Sequence, residues 1–474
     1  MKQGARGRSD GAQQGAAKRG VVGGRPASAG PTVSVQAAMG KVTPARLAAF
    51  EILKLVGEGK GHSDELLHSA RVDGLSPEDR NLTTALVMGV LRWQIALDAR
   101  MRSLLQRPEQ RLAEPVAIVL RMGAFQLLHL ERIPAHAALS ESVELCRVAG
   151  EPHAAGMVNA VLRKVAAAKA SSQNRSPAAD SGQAATDSGQ TVGRLERTAP
   201  LIESVASFAE RLGHPRWMVE RWVKEYGRAA TLTICAADQK EPVEGEMFCE
   251  RGGELPQMDD GSRLVAELAA AAMPTARRVW DCCAAPGGKT LILARRLDLA
   301  EIVASDVSAK RLTQMEARLR RYAYADRVRF TVADAADAKA VEGSFDLILC
   351  DVPCSGTGTL AGNPEIRHRL KVEELARQAE RQRTILKGAL QRLAPGGRLV
   401  YSTCSLEPEE CERVVDAIDG VKRVAVNALL AELGEQGILP DGLEVGSMVR
   451  GGALRTLPGV HGCDGFYAVV LDRE

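Results

Sequence analysis

RRVWDCCAAPGGKT, residues 277–290, reads as a short apolar strand, a glycine-rich turn and the start of a helix. A turn of that kind lets backbone N–H groups and a helix N-terminus face an anionic ligand group. Outward from it the same texture repeats. EIVASDV (301–307), RVRFTVADA (327–335), FDLILCDV (345–352) and GRLVYSTCS (397–405) are apolar runs separated by helical segments, and GFYAVVLDRE (465–474) looks like one more strand. Strands alternating with helices predict an α/β, doubly wound and mostly parallel sheet. Ligands bind such sheets at the carboxyl ends of the strands. Every unusual residue of this half falls at such an end.

Several readings of the glycine turn compete. A Walker A loop needs G-x-x-x-x-G-K-[ST]. Gly288, Lys289 and Thr290 fit its end, but its first glycine falls on Cys283, and Pro286 stiffens the turn. The dinucleotide fingerprint G-x-G-x-x-G is absent. S-adenosylmethionine (AdoMet) matches part by part. Asp306, nineteen residues past Gly287, ends the second run and suits ribose hydroxyls. Asp334 ends the third and is placed for an adenine amino group. The helix N-terminus near Lys289 suits a carboxylate. Each Asp alone is equally well a helix cap or turn residue; the ordered trio carries the reading.

DVPCSGTG (351–358) and STCS (402–405) each set a cysteine in a polar turn after an apolar run. Adjacent parallel strands would bring Cys354 and Cys404 to one rim. Carbon 5 of a pyrimidine is a poor nucleophile, and a thiolate added at carbon 6 makes it an enamine that accepts a methyl group. Asp351 is the candidate acid for the charge at N3. The strand-end site is expected to favour the thiolate. The spacings of Cys350, Cys354, Cys404 and Cys411 are unlike a zinc knuckle, the eight histidines show no ligand spacing, and a redox C-x-x-C is absent, so no metal is expected. Cys146, Cys235, Cys249, Cys282, Cys350 and Cys463 read as core or incidental.

The remaining chain sets the context. A length of 474 residues calls for two or three domains. Residues 1–42 carry seven Lys/Arg against the single acid Asp10 and read as a disordered basic tail, with Met39 an alternative start to Met1. Residues 43–169 read as an all-α bundle. Leu82, Leu86, Val90, Trp93, Leu97, Met101 and Leu104 follow the helical period, and Ser76-Pro77 is a helix start. Its 16 Lys/Arg minus 14 Asp/Glu give +2, which does not single out an RNA binder. Residues 170–200 read as a flexible linker, 201–262 as a helical connector that is irregular from 236, and 263–474 as the α/β domain. No apolar run reaches the roughly 18 residues of a membrane span. The ten cysteines without an export signal lead to the expectation of a reducing cytoplasm.

CCAAPGGKT, DVPCSGTG, PGGRLVYSTCSLEPEE and DGFYAVVL resemble the RsmB/Nop/Sun RNA 5-methylcytosine methyltransferases. RMGAFQLLHLERIPAHAALSESVEL (121–145) and GMVNAVLRK (156–164) resemble the NusB-like domain that precedes the catalytic domain in RsmB. The resemblance implies a Rossmann-like methyltransferase with 16S rRNA of the small subunit as substrate, AdoMet as methyl donor and a monomeric, cytoplasmic enzyme. It implies that Cys283, Ala284, Ala285, Pro286, Gly287, Gly288 and Lys289 form the AdoMet loop. Asp306, Asp334 and Asp351 match its acidic AdoMet positions, Cys404 its nucleophile and Cys354 the cysteine assisting product release. The Thr-Cys nucleophile argues for RNA, since DNA enzymes attack from Pro-Cys. Two features depart from the pattern. The RNA-positioning segment within 236–262 is short, keeping only Asp259 and Asp260, and Cys411 stands where Asn is common. A non-catalytic NusB-like scaffold is the alternative that these departures leave open; the intact cysteine pair argues against it.

Overall fold

The computed structural model describes residues 41–173, 203–242, 247–248, 255 and 257–473. The expected tail thus lies outside the described residues up to residue 40, as does nearly all of the linker and much of the irregular segment.

Five long helices build the first domain: α1 (Pro44–Gly57), α2 (Pro77–Arg102), α3 (Glu114–His129), α4 (Ala135–Val148) and α5 (Ala155–Gln173). Helix α2 starts where Ser76 accepts from Asp79 N, with Pro77 at the first position. Acids Glu78 and Asp79 open it and Arg100 and Arg102 close it, as the helix dipole favours. Helix α3 is buried without a break from Val116 to Leu127, the mark of a central helix rather than a surface one. Gly89 lets α2 approach it: a Cβ there would lie 1.9 Å from Phe125 Cζ. Helix α5 runs past residue 169 to Gln173.

The connector holds α6 (Val205–Arg211), α7 (Arg216–Tyr226) and α8 (Arg228–Ala237). The expected boundary at 262/263 falls inside α9 (Asp260–Ala272). Asp259 sets that start by accepting from Gly261 N and Ser262 N at 2.7 and 3.1 Å.

The second domain is a sheet of β1 (Arg278–Asp281), β2 (Glu301–Asp306), β3 (Val328–Val332), β4 (Phe345–Asp351), β5 (Leu393–Thr403), β6 (Val421–Val424), β7 (Val449–Arg450), β8 (Ala453–Arg455) and β9 (Tyr467–Arg473). The order is β3-β2-β1-β4-β5-β9-β8-β7, with β6 also paired to β9. Strands β1 to β5 are parallel, and β9 inserts antiparallel to β5. Helices α10 (Gly288–Arg296), α11 (Ala309–Leu319), α12 (Val372–Leu390) and α13 (Val426–Glu435) accompany the sheet. Side chains alternating along the strands fill two cores, one around Leu347, Leu349 and Val400, the other around Ile348, Leu399 and Tyr401.

The two domains meet through residues 360–369. Arg367, fully buried, donates to Arg92 O, Gly213 O, Asp238 O and Leu360 O at 3.1 to 3.4 Å. Glu365 accepts from Ser63 N and Ser63 Oγ at 3.1 and 2.8 Å, and Arg369 donates to Val56 O and Gly61 O at 2.8 and 2.6 Å. Among the described residues no helix is long and apolar enough to cross a membrane.

Candidate active site

Strand order reverses between β1 and β4, the point where doubly wound sheets open a crevice at their carboxyl ends. A cleft lies there. It is lined by Cys283 and Ala285 after β1, Asp306 and Val307 at β2, Asp334 past β3, Asp351 and Cys354 at β4, and Cys404 after β5. The five expected acids and thiols therefore share one wall-to-wall site.

Asp306 is buried. Its Oδ1 accepts from Ser308 N at 2.8 Å and its Oδ2 faces Arg311 at 3.3 Å. Val307 beside it is 57% exposed, an apolar face open to the cleft. Asp334 is exposed and accepts from Ala336 N at 3.0 Å. Asp351 is fixed from two sides: Oδ1 accepts from Ser402 Oγ at 2.7 Å and Oδ2 pairs with Lys289 Nζ at 2.8 Å. Burial alone would lower the Lys289 pKa. The charge of Asp351, with lesser help from Cys404 and Asp281, outweighs it and raises the value.

The glycine turn behaves differently from the rest. Ala284, Pro286, Gly287, Gly288 and Lys289 are not among the lining residues. Gly287 takes φ +100°, and a Cβ on it would meet Leu319 Cδ1 at 2.6 Å and Met315 Cγ at 2.8 Å, so the turn packs against α11. Lys289 reaches back to Asp351 and donates to Ser262 Oγ at 2.7 Å.

The two sulfurs stand 3.4 Å apart. Parallel pairing of β4 with β5 puts Asp351 beside Ser402 and makes the following turns neighbours. The second thiol, Cys354, is held in its neutral form. Its hydrogen bond to the Cys404 sulfur, its burial and the nearby negative charge of Glu410 push its thiol well up. Either sulfur can donate across the 3.4 Å contact.

Several residues escaped the sequence reading. Asp281 closes β1 fully buried, with Oδ2 accepting from Thr290 Oγ1 at 2.6 Å, and burial pushes it up to about 7. Helix α7 braces the segment after Cys404: Arg221 pairs with Glu407 at 2.7 Å and with Glu409, Trp222 Nε1 donates to Glu407 at 3.0 Å, and Tyr226 bonds Leu406 O. The acid run Glu407–Glu412 beside a candidate nucleophile was the available signal. Among the described residues no cluster of His, Cys, Asp and Glu suits a metal ion.

The comparisons with known proteins agree with this picture. The model of the family described as 16S rRNA methyltransferase RsmB/F matches residues 270–472, and that of the NusB family matches residues 43–167. The ribosomal RNA small subunit methyltransferase B of Xanthomonas campestris pv. campestris is 33% identical over 445 residues, covering 90% of this chain and 96% of its own. The probable ribosomal RNA small subunit methyltransferase B of Bacillus subtilis is 29% identical over 489 residues, covering 92% and 100%. The crystal structure of PH0851 superposes with a TM-score of 0.63 at 19% identity, covering 91% of this chain and 99% of that one, a likeness of fold.

Proposed function

The chain belongs to the 16S rRNA methyltransferase RsmB/F family, and from that premise we propose that it methylates carbon 5 of a cytosine in 16S rRNA from AdoMet, through a covalent bond to Cys404. The observation that carries this is the pair of thiols 3.4 Å apart at the rim of the switch-point cleft. A pair so placed suits a reaction in which a thiolate is both nucleophile and leaving group.

The cleft fits AdoMet on its own chemistry. A buried carboxylate, Asp306, sits beside the uncovered apolar face of Val307, with Asp334 across it, as a ribose and an adenine require. When bound, AdoMet supplies the electrophilic methyl group. The chain's own residues do the rest. Cys404 adds to carbon 6 and raises the electron density at carbon 5. Asp351 is the candidate to support the charge at N3, and its contacts with Lys289 and Ser402, which hold the carboxylate in one orientation, favour that reading. Once carbon 5 is methylated and has lost its proton to a base, Cys404 must depart as a thiolate. Cys354 lies 3.4 Å from that sulfur, within reach to donate its S–H and stabilise the departing thiolate. The helical domain, docked through residues 360–369, holds the RNA relative to this site.

The test uses the purified full-length protein, AdoMet and 16S rRNA lacking its modifications. Nuclease digestion and mass spectrometry should find 5-methylcytidine as the new nucleoside. A methyl group on any other base or on a ribose overturns the reading.

A further inference from the structure

Behind the thiols, the turn after Cys404 carries four glutamates, and they do not behave alike. Glu407 and Glu409 take Arg221, and Glu412 takes Arg455 at 2.7 Å. Glu410, with 0% exposure, takes no arginine or lysine among the described residues. Its four donors are neutral: Ser355 N at 2.8 Å, Gln382 Nε2 at 3.0 Å, Ser405 Oγ at 2.6 Å and Ser355 Oγ. A buried carboxylate without a cation is costly and persists only with its hydrogen bonds filled. These bonds have a pattern. Ser355 follows Cys354 in the chain, and Ser405 follows Cys404. Gln382 also donates to Pro353 O at 3.0 Å, on the other side of Cys354. Tyr401 fixes the backbone of Glu410 by donating to its carbonyl at 2.7 Å. One carboxylate therefore ties both cysteine turns together from below, without itself lining the cleft.

We propose that Glu410 is a positioning residue that clamps the two cysteine turns at one separation, keeping Cys354 within hydrogen-bond reach of Cys404 throughout the covalent cycle. The cycle rests on the reading above; the clamp does not. The charge of Glu410 also adds, after the Cys404 hydrogen bond and burial, to the forces holding the proton on Cys354. The turns keep other ties, Gly358 N to Cys404 O at 2.9 Å and Val352 N to Ser402 O at 3.0 Å, so loss of the clamp loosens the pair without dismantling the rim. In Glu410→Gln an amide NH2 would face hydroxyls that now donate, and they would have to turn and accept. That variant should be intermediate. Glu410→Ala removes the shared acceptor, leaving Ser355 N without its partner and the serine hydroxyls and Gln382 to donate only to each other, Thr357 and Pro353 O.

The first readout needs no RNA. Dilute hydrogen peroxide oxidises two thiols to one disulfide, the two hydrogens and two electrons reducing the peroxide to two waters. Peptide mapping of the full-length protein then times the Cys354–Cys404 link. It should form about tenfold more slowly in Glu410→Ala than in the wild type, the order expected for a lost buried hydrogen bond, with Glu410→Gln between them. The second readout adds AdoMet and 16S rRNA. Glu410→Ala should accumulate a protein–RNA adduct although Cys354 is present, with AdoMet affinity unchanged. A merely structural role would weaken AdoMet binding and adduct formation together. Should Glu410→Ala fail to fold, Glu410→Gln and Ser355→Ala, which keeps its main-chain donor, decide. Cross-linking at the wild-type rate in folded variants overturns the clamp. Slowed cross-linking with no adduct in a Cys354→Ala control supports the clamp and overturns the covalent reading instead.

Discussion

Asp281 is neutral over a pH range where an exposed aspartate is charged. Burial raises it from an ordinary 3.8 to about 7. Between those values the folded protein holds a proton that the unfolded chain has released. Stability must therefore fall as pH rises from about 4 to about 7. Asp281→Asn keeps the shape and removes the titration. Relative to the wild type it should gain stability between pH 4 and pH 8, by at most about 4 kcal/mol at about 1.4 kcal/mol per tenfold change. Urea unfolding of both proteins at the two pH values checks this; a constant difference would refute it. The candidate residues were legible singly because each ends an apolar run: Asp306, Asp334, Asp351, Cys354 and Cys404 all line the cleft. Asp281 also ends one, but its burial depends on Thr290 and the layers around it. Glu410 was hidden for the opposite reason. Its partners Ser355 and Gln382 lie 55 and 28 residues away.

At the scale of elements, the site depends on three turns meeting edge to edge. Gly358 donates its N–H to Cys404 O at 2.9 Å and accepts from Gly465 N at 2.8 Å. A Cβ on Gly358 would sit 2.1 Å from Gly465 O, which is main chain and has little freedom to yield. Gly358→Ala should force the DGFY turn off the Pro-Cys turn and lower methylation at least about tenfold, a shift of roughly an ångström at a reacting group being enough. AdoMet affinity, read by calorimetry, should persist because neither Gly358 nor Gly465 lines the cleft. Activity at the wild-type level would mean that the turns need not touch. The five parallel strands were legible from their apolar runs. Strands β6, β7 and β8 were not, since they are two to four residues long and, unlike the equally short β1, lead through no glycine turn into a helix.

At the scale of the molecule, the helical domain is anchored to the segment that follows the Pro-Cys turn. Of the four carbonyls around Arg367, only that of Arg92 belongs to the helical domain; those of Gly213, Asp238 and Leu360 do not. A chain beginning at residue 204 should thus fold and bind AdoMet. Its Tm should fall by about 5–10 °C for a loss of two or three kcal/mol, and it should methylate 16S rRNA poorly. Full activity would demote the helical domain to an accessory. The existence of two domains was legible in the change of periodicity near residue 277. Their docking was not, because it joins residues 269 to 313 positions apart. The central claim is that two thiols divide one covalent cycle, and the direct measurement is a denaturing gel of the full-length protein incubated with AdoMet and 16S rRNA. Cys354→Ala should attack, methylate and stall, giving a slow protein–RNA band that requires AdoMet and vanishes in the Cys354→Ala/Cys404→Ser double variant; Cys404→Ser alone should give neither band nor product. A trapped band with Cys404→Ser and none with Cys354→Ala would reverse the two roles, and activity without trapping in both would contradict the account.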